Sequence, residues 1–232
     1  ANPVTQDDVT VTLFNSANPV ANAGPDQDLC TPTTSATLAG SSIISPATGT
    51  WSLLSGTGTI VSPNSPNTQV TGLGVGDNIF RWTVSNGSCA NGLTTDDVRI
   101  RLFNSANPPA NAGPDQSICA DVNSTVMAGS AIIAPATGTW TLMGGAGTIV
   151  TPNSPTTAIT GLAVGENIFR WSVNNGTCPG GSTSDLVSIF VYSDAHIVVT
   201  AGPDQDICVP TSANIVSVTG TTPTAPATAA WS

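Results

Sequence analysis

Apolar and polar residues alternate along much of the chain, at the two-residue period of a β-strand. In the segment 80–84, Phe80, Trp82 and Val84 share one face, and the segment 98–102 alternates in the same way. Gly or Pro interrupts every stretch that approaches the spacing of an amphipathic helix. The pattern therefore predicts an all-β protein. The predicted strands lie near residues 20–29, 35–39, 49–54, 58–62, 67–71, 78–85 and 96–103.

The sequence repeats with a period of 89 residues. Ala-Gly-Pro-Asp-Gln occurs at residues 23–27, 112–116 and 201–205, and aligning 17–105 with 106–194 gives 53 identities in 89 positions. We therefore predict two complete repeats and two partial ones, drawn from a longer array. Their predicted bounds are 1–16 for the last strand of a preceding repeat, 17–105, 106–194, and 195–232 for the N-terminal part of a further repeat.

A unit of 89 residues has the size of an immunoglobulin-like (Ig-like) β-sandwich of about seven strands. An odd number of strands places the two ends of a repeat at opposite ends of the sandwich. Consecutive repeats are therefore expected to form an elongated rod, with short linkers that contain proline. Four tryptophans at apolar-face positions are predicted to anchor the cores: Trp51, Trp82, Trp140 and Trp171.

Charge is scarce and mostly negative. Charged residues make up 8% of the chain, the formal net charge is −10, and all four cations are arginines. So few cations cannot neutralise a run of phosphates, which excludes nucleic acid as a partner and disfavours anionic membrane surfaces. No apolar run approaches the roughly 20 residues of a spanning helix, so no membrane insertion is expected.

Catalytic motifs are absent from the sequence. Histidine occurs once, as His196, and there is no G-x-S-x-G, H-E-x-x-H or phosphate-binding loop. General acid–base catalysis needs a positioned group with a tuned pKa, and the repeated positions offer none. The chain is therefore predicted not to be an enzyme, with no catalytic residues and no cofactor.

Five cysteines at repeat-related positions predict an oxidised, extracytoplasmic framework of disulfides: Cys30, Cys89, Cys119, Cys178 and Cys208. The favoured pairing lies within each repeat, as Cys30–Cys89 and Cys119–Cys178, and leaves Cys208 without a partner. Strand parity argues against it, because Cys30 and Cys89 then fall at opposite ends of one domain. A bond between repeats, Cys30–Cys178, stays open as the alternative.

Paired carboxylates suggest calcium as the one candidate metal. The candidate ligands are Asp26, Asp28, Asp96 and Asp97. Against calcium, there is no D-x-D-x-D-G loop, and Ser117 and Leu186 replace two of these aspartates in the second repeat. The alternative is that these aspartates cap turns or face solvent.

Two groups of residues carry a family resemblance. Residues 19–27, followed by Leu38-Ala39-Gly40-Ser41, resemble the opening of PKD (polycystic kidney disease) domains and their Ig-like relatives. Gly49-Thr50-Trp51 and the segment 78–89, which ends in Cys89, are similar to PKD-like repeats of very large surface adhesins from Bacteroidota-type bacteria. Such adhesins are often exported by the type IX system.

This resemblance implies a structural repeat of a cell-surface adhesin stalk or filament. Its partners would be neighbouring repeats of the same chain, and also other copies laterally if chains associate. Phe14, Phe103 and Tyr192 lie near strand ends and are predicted to pack against the junctions. One alternative is a carbohydrate- or protein-binding tandem module of a secreted multidomain protein, which needs exposed aromatics. A second is the subunit of a self-assembling extracellular filament.

Overall fold

The computed structural model describes residues 4–193, 200–204, 217–222 and 230. These residues form two compact units. The first runs up to Ala110 and includes Ser130–Thr139 and Ser172–Ser184; the second has Asn111–Gly129, Trp140–Trp171 and the described residues from Asp185 onward. Cys208, His196 and most of the partial repeat 195–232 lie outside the described residues.

The first repeat contains seven strands in two sheets. One sheet has the order β1-β7-β6-β3 and the other β2-β5-β4. The strands are β1 (Gln27–Cys30), β2 (Ala36–Ala39), β3 (Thr48–Ser55), β4 (Thr59–Ile60), β5 (Asn67–Thr71), β6 (Gly76–Ser85) and β7 (Leu93–Phe103).

The second repeat has the same topology. Its sheets have the orders β10-β13-β14-β8 and β11-β12-β9. The strands are β8 (Gln116–Cys119), β9 (Thr125–Val126), β10 (Thr137–Gly144), β11 (Thr148–Ile149), β12 (Ala158–Thr160), β13 (Gly165–Asn174) and β14 (Ser182–Tyr192). The predicted all-β sandwich fold is confirmed. No helix among the described residues is long and apolar enough to cross a membrane.

The first predicted strand, over 20–29, is longer than the observed β1. Before Gln27 the backbone is held by side chains: the N–H of Ala21 donates to Thr94 Oγ1 and that of Ala23 donates to Asp96 Oδ2, both at 2.8 Å. Gly24, at a φ of 81°, then turns the chain. Regular pairing therefore begins only after this turn.

The core of the first repeat lies between its two sheets. Alternate residues of β6 point inward and are buried, as the sequence pattern predicts. The Trp51 and Trp82 rings lie 5.0 Å apart at an angle of 38°, and Trp140 and Trp171 repeat this pair at 5.0 Å and 37°. The buried cluster comprises Ala23, Leu38, Trp51, Val70, Leu73, Phe80, Trp82, Val84, Val98, Ile100 and Leu102.

Trp82 packs so closely against β3 that only glycine fits opposite its ring. A Cβ atom at Gly49 would overlap the six-membered ring of Trp82, and the Trp82 Nε1 donates to Ser41 Oγ at 3.2 Å. The ring therefore cannot move away without losing this hydrogen bond. This packing explains the glycine of the Gly-Thr-Trp motif at 49–51, and the same motif recurs in the sequence at 138–140.

We predict that Gly49→Ala lowers the free energy of unfolding by about 1–3 kcal/mol, because it overpacks the tryptophan pair. Urea unfolding followed by tryptophan fluorescence measures this loss. Gly144→Ala is the matched control, since its Cβ would meet nothing nearer than Ile168 Cδ1 at 3.9 Å. Equal losses in the two variants would contradict the packing argument.

Candidate functional site

Parallel pairing of β1 with β7 determines where Cys30 lies. The register pairs Gln27 with Ile100 and Cys30 with Phe103, the last residue of β7. The Thr31 N–H then donates to the Phe103 carbonyl at 3.0 Å. Cys30 therefore lies at the end of the first repeat where the chain leaves it.

At this end of the first repeat, Phe103 contacts the loop 175–178. Both belong to the first compact unit. Asn175 Nδ2 donates to the Asn104 carbonyl at 2.8 Å. A Cβ atom at Gly176 would overlap the Phe103 ring, and Gly176 has a φ of 56°. Glycine is thus required both for its backbone conformation and for space. The Phe103 side chain is buried.

A disulfide joins Cys30 to Cys178 across this contact, with a Cα–Cα distance of 5.0 Å. We call the set Cys30, Phe103, Asn104, Gly176 and Cys178 the junction. The bond spans 148 positions of sequence and joins the first repeat to the second.

The pairing predicted within each repeat is therefore wrong, and the bond between repeats is the one formed. β6 and β7 are antiparallel, with Ser85 opposite Leu93, so Cys89 follows β6 at the Leu93 end of β7. Cys30 lies at the Phe103 end, ten residues away along β7, or roughly 33 Å at the rise of a strand. A disulfide tolerates a Cα separation of about 7 Å at most.

Cys89 and Cys119, which the prediction placed in disulfides, are free thiols. Cys119 is exposed and ends β8, opposite Tyr192 of β14. Cys89 lies two residues after Gly87, where a Cβ atom would overlap the Phe14 ring. Cys208, predicted to lack a partner, is outside the described residues.

Phe103 and Phe14 take the positions predicted for them, each against a loop that ends in cysteine. Tyr192 contacts Phe190, with ring centroids 5.0 Å apart. Its predicted packing at a junction stays a prediction, because residues 194–199 lie outside the described part of the chain. Asn175 and Gly176 have no role predicted from the sequence. The Asn-Gly pair that precedes both Cys89 and Cys178 at the same spacing is the signal that could have revealed it.

The carboxylates suggested for calcium bind groups of the protein itself. Asp96 accepts the N–H of Ala23, and Asp26 accepts the N–H of Arg99 at 2.9 Å and pairs with its guanidinium at 3.3 Å. Asp28 lies on β1 opposite Arg101. The described residues contain no cluster of three acidic, histidine or cysteine side chains suited to a metal ion. The absence of a cofactor stays a prediction, with calcium as its alternative.

Two bidentate ion pairs cross from β6 to β7. Arg101 donates to Asp77 at 2.6 and 3.0 Å, and Arg81 donates to Asp97 at 2.8 and 2.9 Å. The hydrogen bonds from Arg101 lower the pKa of Asp77, although burial opposes the shift. Those from Arg81 lower the pKa of Asp97 in the same way.

The second repeat keeps the backbone-binding aspartates and replaces residues of these ion pairs. Asp115 accepts the N–H of Ser188 and Asp185 that of Ala112, both at 2.8 Å, as Asp26 and Asp96 do in the first repeat. Leu186 and Phe190 stand where the first repeat has Asp97 and Arg101. Aspartates that bind backbone are thus retained between the repeats, whereas each ion pair loses one of its two partners.

A cleft of about 300 Å³ lies beside the junction, at the small end of the range for ligand sites. Amide, hydroxyl and carbonyl groups line it, without an acid, a base or a thiol. The lining residues are Ser105, Asn107, Pro108, Pro109, Val173, Asn175, Pro179, Gly180, Gly181 and Thr183.

Comparison with known proteins agrees with the fold. A family model described as K319L-like, PKD domain matches residues 23–101. No curated protein matches the chain. The family match and the sheet topology define tandem Ig/PKD-like β-sandwich domains.

Three solved structures illustrate the likeness. The PKD domain of the KIAA 1837 protein has 26% identity and a TM-score of 0.34, covering 45% of this chain and all of that one. An I-band fragment of titin has 14% identity and a TM-score of 0.36, covering 76% of this chain and 66% of the fragment. Immunoglobulin domains 1–4 of Sidekick-1 have 13% identity and a TM-score of 0.40, and cover 75% of this chain. The chain spans about half (48%) of that Sidekick-1 fragment.

We predict that Asp77→Asn destabilises the chain by less than about 1 kcal/mol at pH 7, because the ion pair is partly exposed. Because the pKa of Asp77 is lower in the folded state than its unfolded value of 3.8, the ionised carboxylate stabilises the folded state at pH values above 3.8. This stabilisation is lost as the pH falls through the pKa of the folded state. The difference from wild type should therefore shrink below about pH 4. Thermal unfolding across pH 2–7 measures it.

Glu166→Gln is the control for the ion pair, since Phe190 replaces the arginine there and, among the described residues, Glu166 accepts the Ser188 hydroxyl at 3.0 Å without an arginine partner. At pH 7 it should lower the stability by less than Asp77→Asn does, because it breaks no bidentate ion pair. A loss in Asp77→Asn that stays constant from pH 7 to pH 2 would contradict the electrostatic account.

We predict that Cys30→Ser lowers the free energy of unfolding by about 2–5 kcal/mol without reductant, because it opens a long covalent loop. Cys119→Ser removes the equivalent free thiol of the second repeat and should change stability by less than about 0.5 kcal/mol. Urea unfolding of both variants makes the comparison, and equal effects would argue against the junction disulfide.

Proposed function

We propose that this chain is a structural segment of an extracellular adhesin stalk or filament, in which stacked β-sandwiches set length and disulfides resist unfolding. The observation that carries the proposal is the Cys30–Cys178 bond, which ties consecutive repeats together. A bond of this kind persists in oxidising surroundings, which supports location outside the cytoplasm. The likeness to Bacteroidota-type surface repeats supports the cell surface and export by the type IX system.

The position of the bond in the sequence supports a mechanical role. The disulfide loop runs from Cys30 to Cys178 and contains β2–β7 of the first repeat and β8–β13 of the second. A force along the chain passes directly between Cys30 and Cys178 through the disulfide, and the backbone between the two cysteines does not carry it. The strands inside the loop, including both tryptophan pairs, are therefore shielded from the load.

The distribution of aromatic side chains favours a structural role over carbohydrate binding. Stacking on sugars needs exposed rings on one face. The four core tryptophans, Phe80 and Phe169 are buried, as is Phe103, while Tyr192 is exposed. The aromatic residues thus serve mainly the cores and the junction.

We predict that the oxidised chain, pulled from its two ends, extends by roughly 50 nm less than the reduced chain. The 148 positions between the bonded cysteines stay locked while the bond is intact, and an extended residue spans about 3.5 Å. Single-molecule force spectroscopy with and without reductant measures the difference.

Cys30→Ser should extend fully without reductant, and Cys119→Ser should behave as wild type. Equal extension of the wild type in both conditions would contradict load shielding.

The proposed location is tested separately: an antiserum against the chain should label intact cells and lose its signal after surface proteolysis. Glycan-array binding that Tyr192→Ala abolishes would instead support the binding module.

A further inference from the structure

The two free thiols are the repeat equivalents of the two bonded ones. Cys119 follows Cys30 by 89 positions, and Cys89 precedes Cys178 by 89. By the spacing of the Cys30–Cys178 bond, the equivalent partner of Cys119 belongs to the repeat after 106–194, and that of Cys89 to the repeat before 17–105.

Cys119 has the same backbone surroundings as bonded Cys30. Each ends the first strand of its repeat, opposite the aromatic residue that ends the last strand: Tyr192 for Cys119 and Phe103 for Cys30. The residue after each cysteine donates its N–H to that aromatic residue's carbonyl, at 2.8 Å for Ala120 and 3.0 Å for Thr31.

Cys89 likewise has the loop surroundings of bonded Cys178. Asn86 Nδ2 donates to the Asn15 carbonyl at 2.9 Å, as Asn175 does to Asn104 at 2.8 Å. Phe14 lies against Gly87 as Phe103 lies against Gly176. Residues 14–15 thus contact the loop before Cys89 in the same way as residues 103–104 contact the loop before Cys178.

We propose that Cys89 and Cys119 are sites of disulfide bonding to further repeats of this kind along the same chain, so that every junction in the array is closed by one bond. Each bond joins the cysteine at the end of a first strand to the loop cysteine of the following repeat. Two thiols lose two protons and two electrons to a disulfide oxidant such as oxidised glutathione, which leaves as two molecules of glutathione. This inference rests on the proposed function in one respect, since both require that the chain belongs to a longer array of repeats.

Such bonds would form overlapping loops. The two cysteines of a bond are 148 positions apart while the repeat is 89 long, so successive loops share 60 residues, 119–178 for the first two. Every residue between the first and last bond then lies inside at least one closed loop. A bond within each repeat would instead leave every linker outside a loop.

The test inserts a second copy of residues 106–194 after Asp194 of the full chain. Cys208→Ser is included, with and without the insertion, to remove the remaining thiol. Both proteins are oxidised with glutathione and mapped by mass spectrometry without reduction. We expect one new bond, from Cys119 to the inserted equivalent of Cys178, again 148 positions apart. The number of free thiols then stays at two although the insertion adds two cysteines.

Adding Cys119→Ser to the lengthened chain is the matched control, and it should raise the number of free thiols to three. Four free thiols in the lengthened chain, or a bond inside the inserted repeat, would overturn the proposal. Covalent dimers through Cys119 would also overturn it, because the partner would then belong to another chain. Circular dichroism of the lengthened chain and its control confirms that both fold. Bond mapping does not depend on cell-surface location, so this inference and the proposed function can fail separately.

Discussion

The parallel pairing of β1 with β7 is the constraint on which the covalent structure depends. A strand that enters a sandwich beside the strand that leaves it, running in the same direction, brings its last residue to the exit of the domain. Cys30 is that residue. The pairing removes Cys30 from reach of Cys89 and brings it within 5.0 Å (Cα–Cα) of Cys178 in the following repeat.

The other junction contacts reinforce this geometry. Phe103 ends the partner strand of β1 and packs against Gly176, two residues before Cys178. The hydrogen bond from Asn175 to the Asn104 carbonyl holds the same loop. Phe14, Asn15, Asn86 and Gly87 repeat these contacts, so the arrangement recurs wherever the strand end and the Asn-Gly-x-Cys loop meet. The cysteines therefore join groups that are already in contact.

The sequence predicts the sandwich well because its strongest signals are local. Alternation around Trp82 and Val98, and the turns between strands, indicate most strands to within a few residues. The start of the first strand escapes prediction because Thr94 and Asp96, more than 70 positions away, bind its backbone. The disulfide is not predicted because which cysteines meet depends on which strands run parallel. The odd number of strands shows that Cys30 and Cys89 lie at opposite ends of a repeat, but only the observed sheet topology shows which cysteine Cys30 meets.

Peptide mapping of the unmodified chain, alkylated and digested without reduction, tests the central claim most directly. The account predicts one linked pair of peptides, containing Cys30 and Cys178, with Cys89 and Cys119 recovered as alkylated thiols. Linked peptides containing Cys30 with Cys89, and Cys119 with Cys178, would contradict it. That result would require Cys30 and Cys89 to meet across the length of β7, and would remove the covalent link between repeats on which the proposed shielding from force depends.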